Sequence, residues 1–230
     1  PGPADQGQRI TLRYQVTRKE KRAHREAGDP KVHLRAERLV PLNARFITNA
    51  SAATAKVKAM DDHACAQALY RHVLDHMRYS KAGKGWGRGD ALYACDARTG
   101  NCTDFHAYFI ALCRAINIPA RFAIGFTIPA DKNAGAIGGY HCWAEFHANG
   151  KWVPVDISEA DKHPELADYY FGHHPANRLE LSRGRDITVK PAPKAGPFNY
   201  FFGPHLEVNG KEVPVKATFE FKRLPARSKQ

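Results

Sequence analysis

Cysteine is scarce in this sequence. The five thiols in 230 residues (Cys65, Cys95, Cys102, Cys113 and Cys142) are an odd number, so at least one is free or pairs between molecules. No two form a CxxC pair, which argues against a structural zinc site and a disulfide framework. No apolar run approaches the roughly 20 residues of a membrane-spanning helix. There is no GxxxxGK[ST] word, so the glycine run near residue 85 is not a phosphate-binding loop. No internal repeat marks a solenoid. Acidic residues are outnumbered: 23 Asp and Glu face 35 Lys and Arg, a net charge of +12, with a pI near 9.6. Such a balance suits an anionic neighbourhood. Yet the basic residues are spread along the chain. The densest early run, Arg18-Lys19-Glu20-Lys21-Arg22, lacks the interleaved aromatics of a single-strand nucleic-acid binder. The expectation is a solvated basic surface able to meet an anionic surface or polymer, with no specific nucleic-acid partner.

What is present is a globular composition, 43% hydrophobic and 10% aromatic. The length suits one large domain or a core with additions. The first residue is Pro1 and not Met, which reads as a mature or trimmed product. Residues 1–9 are expected to fray. Ile10, Leu12, Tyr14 and Val16 alternate as in a half-buried strand. Residues 19–29 read as a short helix or exposed loop, 32–40 as a second strand and 41–53 as a connection. Residues 54–79 carry a helical pattern with Thr54 as its cap. On it, His72 and His76 have metal-pair spacing, but no third ligand is in view and packing is the better reading. Glycines at 83, 85, 87 and 89 mark a loop around Trp86, which is either the wall of a site or an anchor pinning the loop to the core.

Further on, a helical pattern from Phe105 stops at Asn117-Ile118-Pro119-Ala120. Residues 121–128 read as an apolar strand and 131–138 as a loop. Strands at 140–148 and 151–157 flank an Asn149-Gly150 hairpin turn. Residues 158–195 read as mostly irregular, with a strand at 186–190. A second hairpin spans 206–221 around Asn209-Gly210, and a loose basic tail runs from 223 to the end. The organisation is an N-terminal extension (1–53) packed on a core (54–160), then a C-terminal extension (161–230) belonging to the same domain.

The stretch Gly100-Asn101-Cys102-Thr103-Asp104-Phe105-His106 carries the chemistry. A turn precedes the cysteine and a helix follows, so the Cys102 thiol sits at a helix N-terminus, where free N–H groups and the helix dipole favour a thiolate. His141 and Asp156 lie on the two strands of the first hairpin. Centring its turn between Asn149 and Gly150 pairs residues whose numbers sum to about 299. His141 and Asp156 are then diagonal neighbours on one face, within reach of a hydrogen bond. Nucleophile, base and orienter are the parts an activated cysteine needs. Cys142, next to His141, is expected on the opposite face as a packing residue. Cys65 and Cys113 read as buried packing. Cys95 is placed in a loop ahead of Cys102, where a reversible disulfide between the two is a hypothesis. Glu145 and His106 are supporting candidates, and Asp104 reads as a capping residue.

At these residues the chain resembles the transglutaminase-like superfamily. The matching words are Gly100-Asn101-Cys102-Thr103-Asp104-Phe105, Ile118-Pro119-Ala120-Arg121, His141-Cys142-Trp143-Ala144-Glu145 and Trp152-Val153-Pro154-Val155-Asp156, in the family's order over residues 60–160. The resemblance implies an α+β, papain-like cysteine-protease fold with the nucleophile helix packed on an antiparallel sheet. It implies Cys102 as nucleophile, His141 as base and Asp156 as orienter, with Trp86 as an oxyanion donor. The substrate implied is a peptide or protein amide, taken through a thioester to an amine or to water. A peptidase or amidase would share the same residues. The rival from another class is a non-catalytic module holding an anionic cell-envelope polymer. Arylamine acetyl transfer fits the wording less well. The calcium sites of the animal enzymes find no match, so neither metal nor cofactor is expected. The family and the trimmed start suggest a secreted or periplasmic protein.

Overall fold

The helix that starts at Cys102 is the centre of the molecule. A computed structural model describes residues 9–58 and 61–225. Three helices precede the central one: α1 (Ala44–Thr54), α2 (Asp62–His76) and α3 (Ala91–Ala97). The two-residue strands β1 (Arg78–Tyr79) and β2 (Thr99–Gly100) pair in parallel just before it. The central helix, α4 (Cys102–Ala115), is buried from Cys102 through Arg114. Its sequence is apolar on every side, the mark of an enclosed helix. α1, α2 and α3 cover one side of it. The other side lies on a four-stranded antiparallel sheet of β3 (Ala120–Thr127), β5 (Tyr140–Ala148), β6 (Lys151–Val155) and β7 (Arg178–Arg183), in the order β6-β5-β3-β7. Phe105, Phe109, Leu112, Phe122 and Phe146 fill the core between helix and sheet.

The remaining elements are short. The strand β4 (Ala134–Ala136) precedes β5, the helix α5 (Ile157–Lys162) follows β6, and a small hairpin of β8 (Glu207–Val208) and β9 (Lys211–Glu212) turns through Asn209 and Gly210. The last strand, β10 (Glu220–Lys222), returns to pair with β4. No helix among the described residues is long and apolar enough to cross a membrane.

Several expectations need correction. Residues 10–16 form no strand, and Ile10 is 87% exposed. The alternation there has no partner ladder to join. Residues 19–29 are a loop held by bridges from Lys21 to His174 and from His24 to Trp152. In place of a strand at 32–40 there is a 3-10 turn (Pro30–Leu34), begun by Pro30 and capped by Asp29. The presumed connection at 41–53 is α1, capped by Asn43. Thr54 ends that helix, and Asp61 caps the next. The strand at 186–190 is absent; only Ile187 bridges, to Phe198, while the true sheet member is β7. Residues 213–219 are irregular. The fraying expected at the start and the end of the basic tail lie outside the described residues. The first hairpin has the expected register, with Ala144 opposite Val155 and Glu145 opposite Pro154.

Candidate active site

Asn101 is extended and caps α4. Its side chain accepts the Thr103 N–H (2.9 Å), and Asp104 Oδ2 reaches back to accept the Asn101 N–H (2.9 Å). This reciprocal box leaves Cys102 as the first helical residue, with the helix's positive end around its thiol. Cys102 is 3% exposed. Gly100 is required just upstream, because a Cβ there would meet the Asp104 side chain at 2.5 Å. The same Asp104 carboxylate accepts the N–H groups of Gly87 (2.7 Å) and Gly89 (2.9 Å). One buried side chain therefore caps the helix and anchors the glycine loop that carries Trp86, which is itself half-buried.

His141 and Asp156 meet where β5 and β6 run together. Asp156 follows β6 and caps α5, accepting from the Glu159 N–H (3.2 Å). The His141 Nε2–Asp156 Oδ2 distance is 2.6 Å. Nε2 is thus committed to the carboxylate, which leaves Nδ1 as the nitrogen free for Cys102. Burial opposes a charge on His141, but the Asp156 carboxylate and the thiolate overcome it and lift the imidazole to about 9. The contact with Cys142, and then His141 acting against burial, hold the Cys102 thiol well below its ordinary value. Burial pushes the other way on Asp156 too, and His141 and Arg178 hold it well below the usual carboxylate range. The arrangement favours a thiolate–imidazolium pair oriented by a carboxylate.

Two residues tighten this group. Arg178, buried at the start of β7, donates from Nη2 to Asp156 Oδ2 (3.2 Å). Ser158 Oγ donates to the other oxygen (3.2 Å). His106, one turn along α4, donates from Nδ1 to the Cys102 carbonyl (2.6 Å), and its Nε2 accepts the Ile157 N–H (3.0 Å). These two bonds require the neutral ring, which burial also favours. His106 was a supporting candidate from the sequence. Arg178 was not, because it is one arginine among many, 22 residues past Asp156 and on a strand with no clear pattern of its own.

The outer wall is aromatic. Tyr140 OH accepts from Asn101 Nδ2 (3.0 Å), and its ring lies 5.9 Å from that of Tyr200 and 4.9 Å from that of Phe202. Tyr200 OH donates to the Gly87 carbonyl (3.1 Å), so the C-terminal segment packs against the glycine loop.

Other candidates lie elsewhere. Cys142 is buried as expected but is not remote from the site. Alternation sends it toward α4, where its Sγ lies 3.9 Å from His106 Nδ1, and it is among the groups that act on the Cys102 thiol. Cys95 sits on α3 and not in a loop, beside Asn49 Nδ2 (3.4 Å) and Tyr108, a position further down α4. All five cysteines are unpaired. Glu145 makes no bond to His141. Its carboxylate accepts from Arg121 (2.7 and 2.8 Å) and pairs with Lys21, which hold it at about 2 against the effect of burial. His72 and His76 stack on each other and bond to Tyr108 OH (3.0 Å) and the Cys95 carbonyl (2.8 Å). Among the described residues no group of three or more His, Cys, Asp or Glu is placed to hold a metal ion.

Several known proteins are similar to this chain. A Haemophilus influenzae protein of unassigned function is 30% identical over 190 residues, covering 68% of this chain. The chain spans about half (52%) of that relative's length. Among solved structures, a Cytophaga hutchinsonii protein provisionally named a cysteine protease is 17% identical, with a TM-score of 0.49, over 86% of this chain and 64% of that one. The periplasmic domain of TgpA from Pseudomonas aeruginosa is 21% identical, with a TM-score of 0.43, over 60% of this chain and 51% of that one. Residues 40–157, just over half of the chain, match the family described as the transglutaminase-like superfamily. With an α+β, papain-like fold and that match, the chain belongs to the transglutaminase-like superfamily.

Proposed function

We propose that the chain is a thiol acyl-transfer enzyme acting on carboxamides of peptides or proteins, of the glutamine type. Cys102 is its nucleophile, His141 its general base and acid, and Asp156 the residue that orients His141. The observation that carries this reading is the 2.6 Å His141–Asp156 contact beside a buried thiol at a capped helix N-terminus. The thiolate attacks the amide carbonyl carbon, and the carbonyl oxygen takes up the negative charge. The Cys102 N–H, the first of the helix, is one oxyanion donor in this reading and Trp86 Nε1–H the second. The intermediate collapses by breaking the C–N bond, and His141 gives its proton to the departing ammonia or amine. A thioester remains on Cys102. An amine or water, deprotonated by His141, then attacks it and releases the thiolate.

Transferase and hydrolase differ only in which acceptor reaches the thioester. The discriminating experiment is ammonia release from a glutamine-containing protein such as casein, with and without a labelled primary amine, for the wild type and Cys102→Ala. Ammonia with covalent label, both lost in the variant, is the transglutaminase result. Ammonia without label is deamidation, and new peptide ends without ammonia mean a peptidase. Selective alkylation of Cys102 near neutral pH is expected in every enzymatic case; an unreactive Cys102 would leave the binding-module reading. The secreted or periplasmic setting belongs to the same proposal, supported by the family resemblance, and cell fractionation tests it.

A further inference from the structure

Tyr200 of the aromatic wall also lines a second feature. A cavity of about 520 Å3 is lined by Arg38, Leu39, Arg88, Asn199 and Tyr200. This is within the size range of sites that enclose small groups. Its charge is lopsided. Arg88 is exposed, and its backbone carbonyl is what Arg185 (3.1 Å) and Asn199 (2.7 Å) bond to, which leaves the guanidinium free of those contacts. Arg38 is also exposed; Asp186 accepts its backbone N–H (2.7 Å) and approaches its guanidinium more loosely (3.9 Å). Beneath them Arg185 is only 1% exposed. Its guanidinium donates to the carbonyls of Gly89 (2.5 Å) and Arg88 and to Asn199 Oδ1 (3.0 Å), all neutral acceptors. These bonds are to neutral groups, and the Glu37 and Asp186 carboxylates act on its charge from further away. Two arginines therefore line the cavity, and the buried Arg185 is bonded to the backbone of one of them.

The cavity is joined to the candidate active site through Tyr200. That residue lines it, lies tilted beside Tyr140 and bonds to Gly87, while Tyr140 bonds to the Asn101 that caps the Cys102 helix. An extended peptide advances at most about 3.5 Å per residue. A substrate running outward from Cys102 over these two tyrosines would bring one of its flanking side chains to the cavity.

We propose that this cavity is a subsite for a carboxylate side chain of the peptide substrate, an aspartate or glutamate flanking the reacting glutamine. The proposal rests on the acyl-transfer reading above and adds the substrate class to it. A peptide fits better than a nucleic acid: the cavity adjoins an amide-processing thiol, and it offers planar guanidinium forks with an amide and a phenol ring, a set that suits one carboxylate.

The test uses the full chain carrying Cys102→Ala, so that binding is measured without turnover. Fluorescent glutamine peptides are compared that differ only by glutamate or glutamine at each flanking position. The glutamate form is expected to bind about tenfold more tightly at one such position, with the advantage shrinking as salt is raised. It is expected to disappear when Arg38→Gln and Arg88→Gln are added; both positions are exposed, so the fold is not at stake. Equal affinities at every position, or an advantage that survives the two substitutions, would overturn the proposal. Displacement of the acidic peptide by inorganic phosphate or a short oligonucleotide at matched concentration would also overturn it, in favour of a general anion site. Alkylation of Cys102 in the wild type separates the two readings. A reactive thiol with no glutamate preference removes the subsite and leaves the enzyme. A glutamate preference beside an inert thiol supports the subsite and removes the enzyme.

Discussion

Asp156 uses both carboxylate oxygens, and what each one holds sets the chemistry of its neighbours. Oδ2 takes His141 and Arg178; Oδ1 takes Ser158 and the α5 N-terminus. With the thiol lowered and His141 lifted to about 9, kcat/KM is expected to follow a bell. The acid limb falls where Cys102 gains its proton, well below an ordinary thiol, and the alkaline limb falls near 9, where His141 loses its own. Asp156→Asn removes the charge that sustains the imidazolium. The alkaline limb should move down toward 6.5, and kcat should drop on the order of 10^3–10^4-fold. Arg178 works in the opposite sense, because its positive charge beside Asp156 opposes a second positive charge on His141. Arg178→Met should raise the alkaline limb by roughly half to one pH unit. A purely structural role would lower activity without moving that limb, so the pH profile decides the matter.

At the scale of elements, Asp104 and His106 weld the start of α4 to its surroundings. Asp104 accepts three N–H groups, from Asn101, Gly87 and Gly89, and is fully buried. Asp104→Ala leaves all three without that acceptor in a closed interior, at roughly 1–3 kcal/mol for each group that water cannot reach. A fall in urea stability of at least about 2 kcal/mol is expected, with slower alkylation of Cys102 as its helix start loosens. Unchanged stability would mean that the loop is held by other contacts. These elements also show what could be read in advance. The hairpin of β5 and β6 was legible because Asn149 and Gly150 both need positive φ, which sets the turn and hence the register that brings Asp156 to His141. The start of α4 was legible from its cap and its apolar run. α1 was not, because Asn43 is an inconspicuous cap and Ala-Ser-Ala-Ala-Thr carries little periodicity. β7 was not, because its strand is half polar and its place in the sheet comes from a partner some 55 residues earlier: β3, where Gly125 lets the two backbones approach. The arginine cavity is likewise built from residues near 38, 88 and 199, whose meeting is a property of the tertiary fold alone.

Over the whole molecule, charge clamps the N-terminal arm onto the sheet. Lys21 pairs with Glu145, and Glu26 spans Arg121 (2.7 and 3.0 Å) and Arg183 (2.8 and 2.9 Å), while Arg121 lies 3.7 Å from the centre of the Trp152 ring. These pairs hold Glu26 and Glu145 at about 2. Their contribution is present above about 4.5 and is lost as the pH falls through 2. Two histidines act earlier. Burial holds His174 down to about 3 and His33 to about 4, so the unfolded chain binds their protons below 6.5 while the folded chain refuses them. The stability they provide is present above 6.5 and drains away as the pH falls toward 3. On the alkaline side His141 and Cys102 oppose each other. The raised imidazole loses its contribution as the pH rises through 9, while the lowered thiol gains one over the same span, because folding passes a proton from one to the other. The urea midpoint should therefore be nearly level from about pH 6.5 to 9 and decline below 6.5, by on the order of a few kcal/mol at pH 4. The net charge of +12 steepens the decline, since every carboxylate protonated adds to the self-repulsion of a chain already rich in cations. His174→Leu should flatten the stretch between pH 6.5 and 4. A midpoint that stays constant from pH 7 to 4 in the wild type would show that His174 takes up its proton without unfolding the chain, and the acid sensitivity would then belong to the arm's ion pairs.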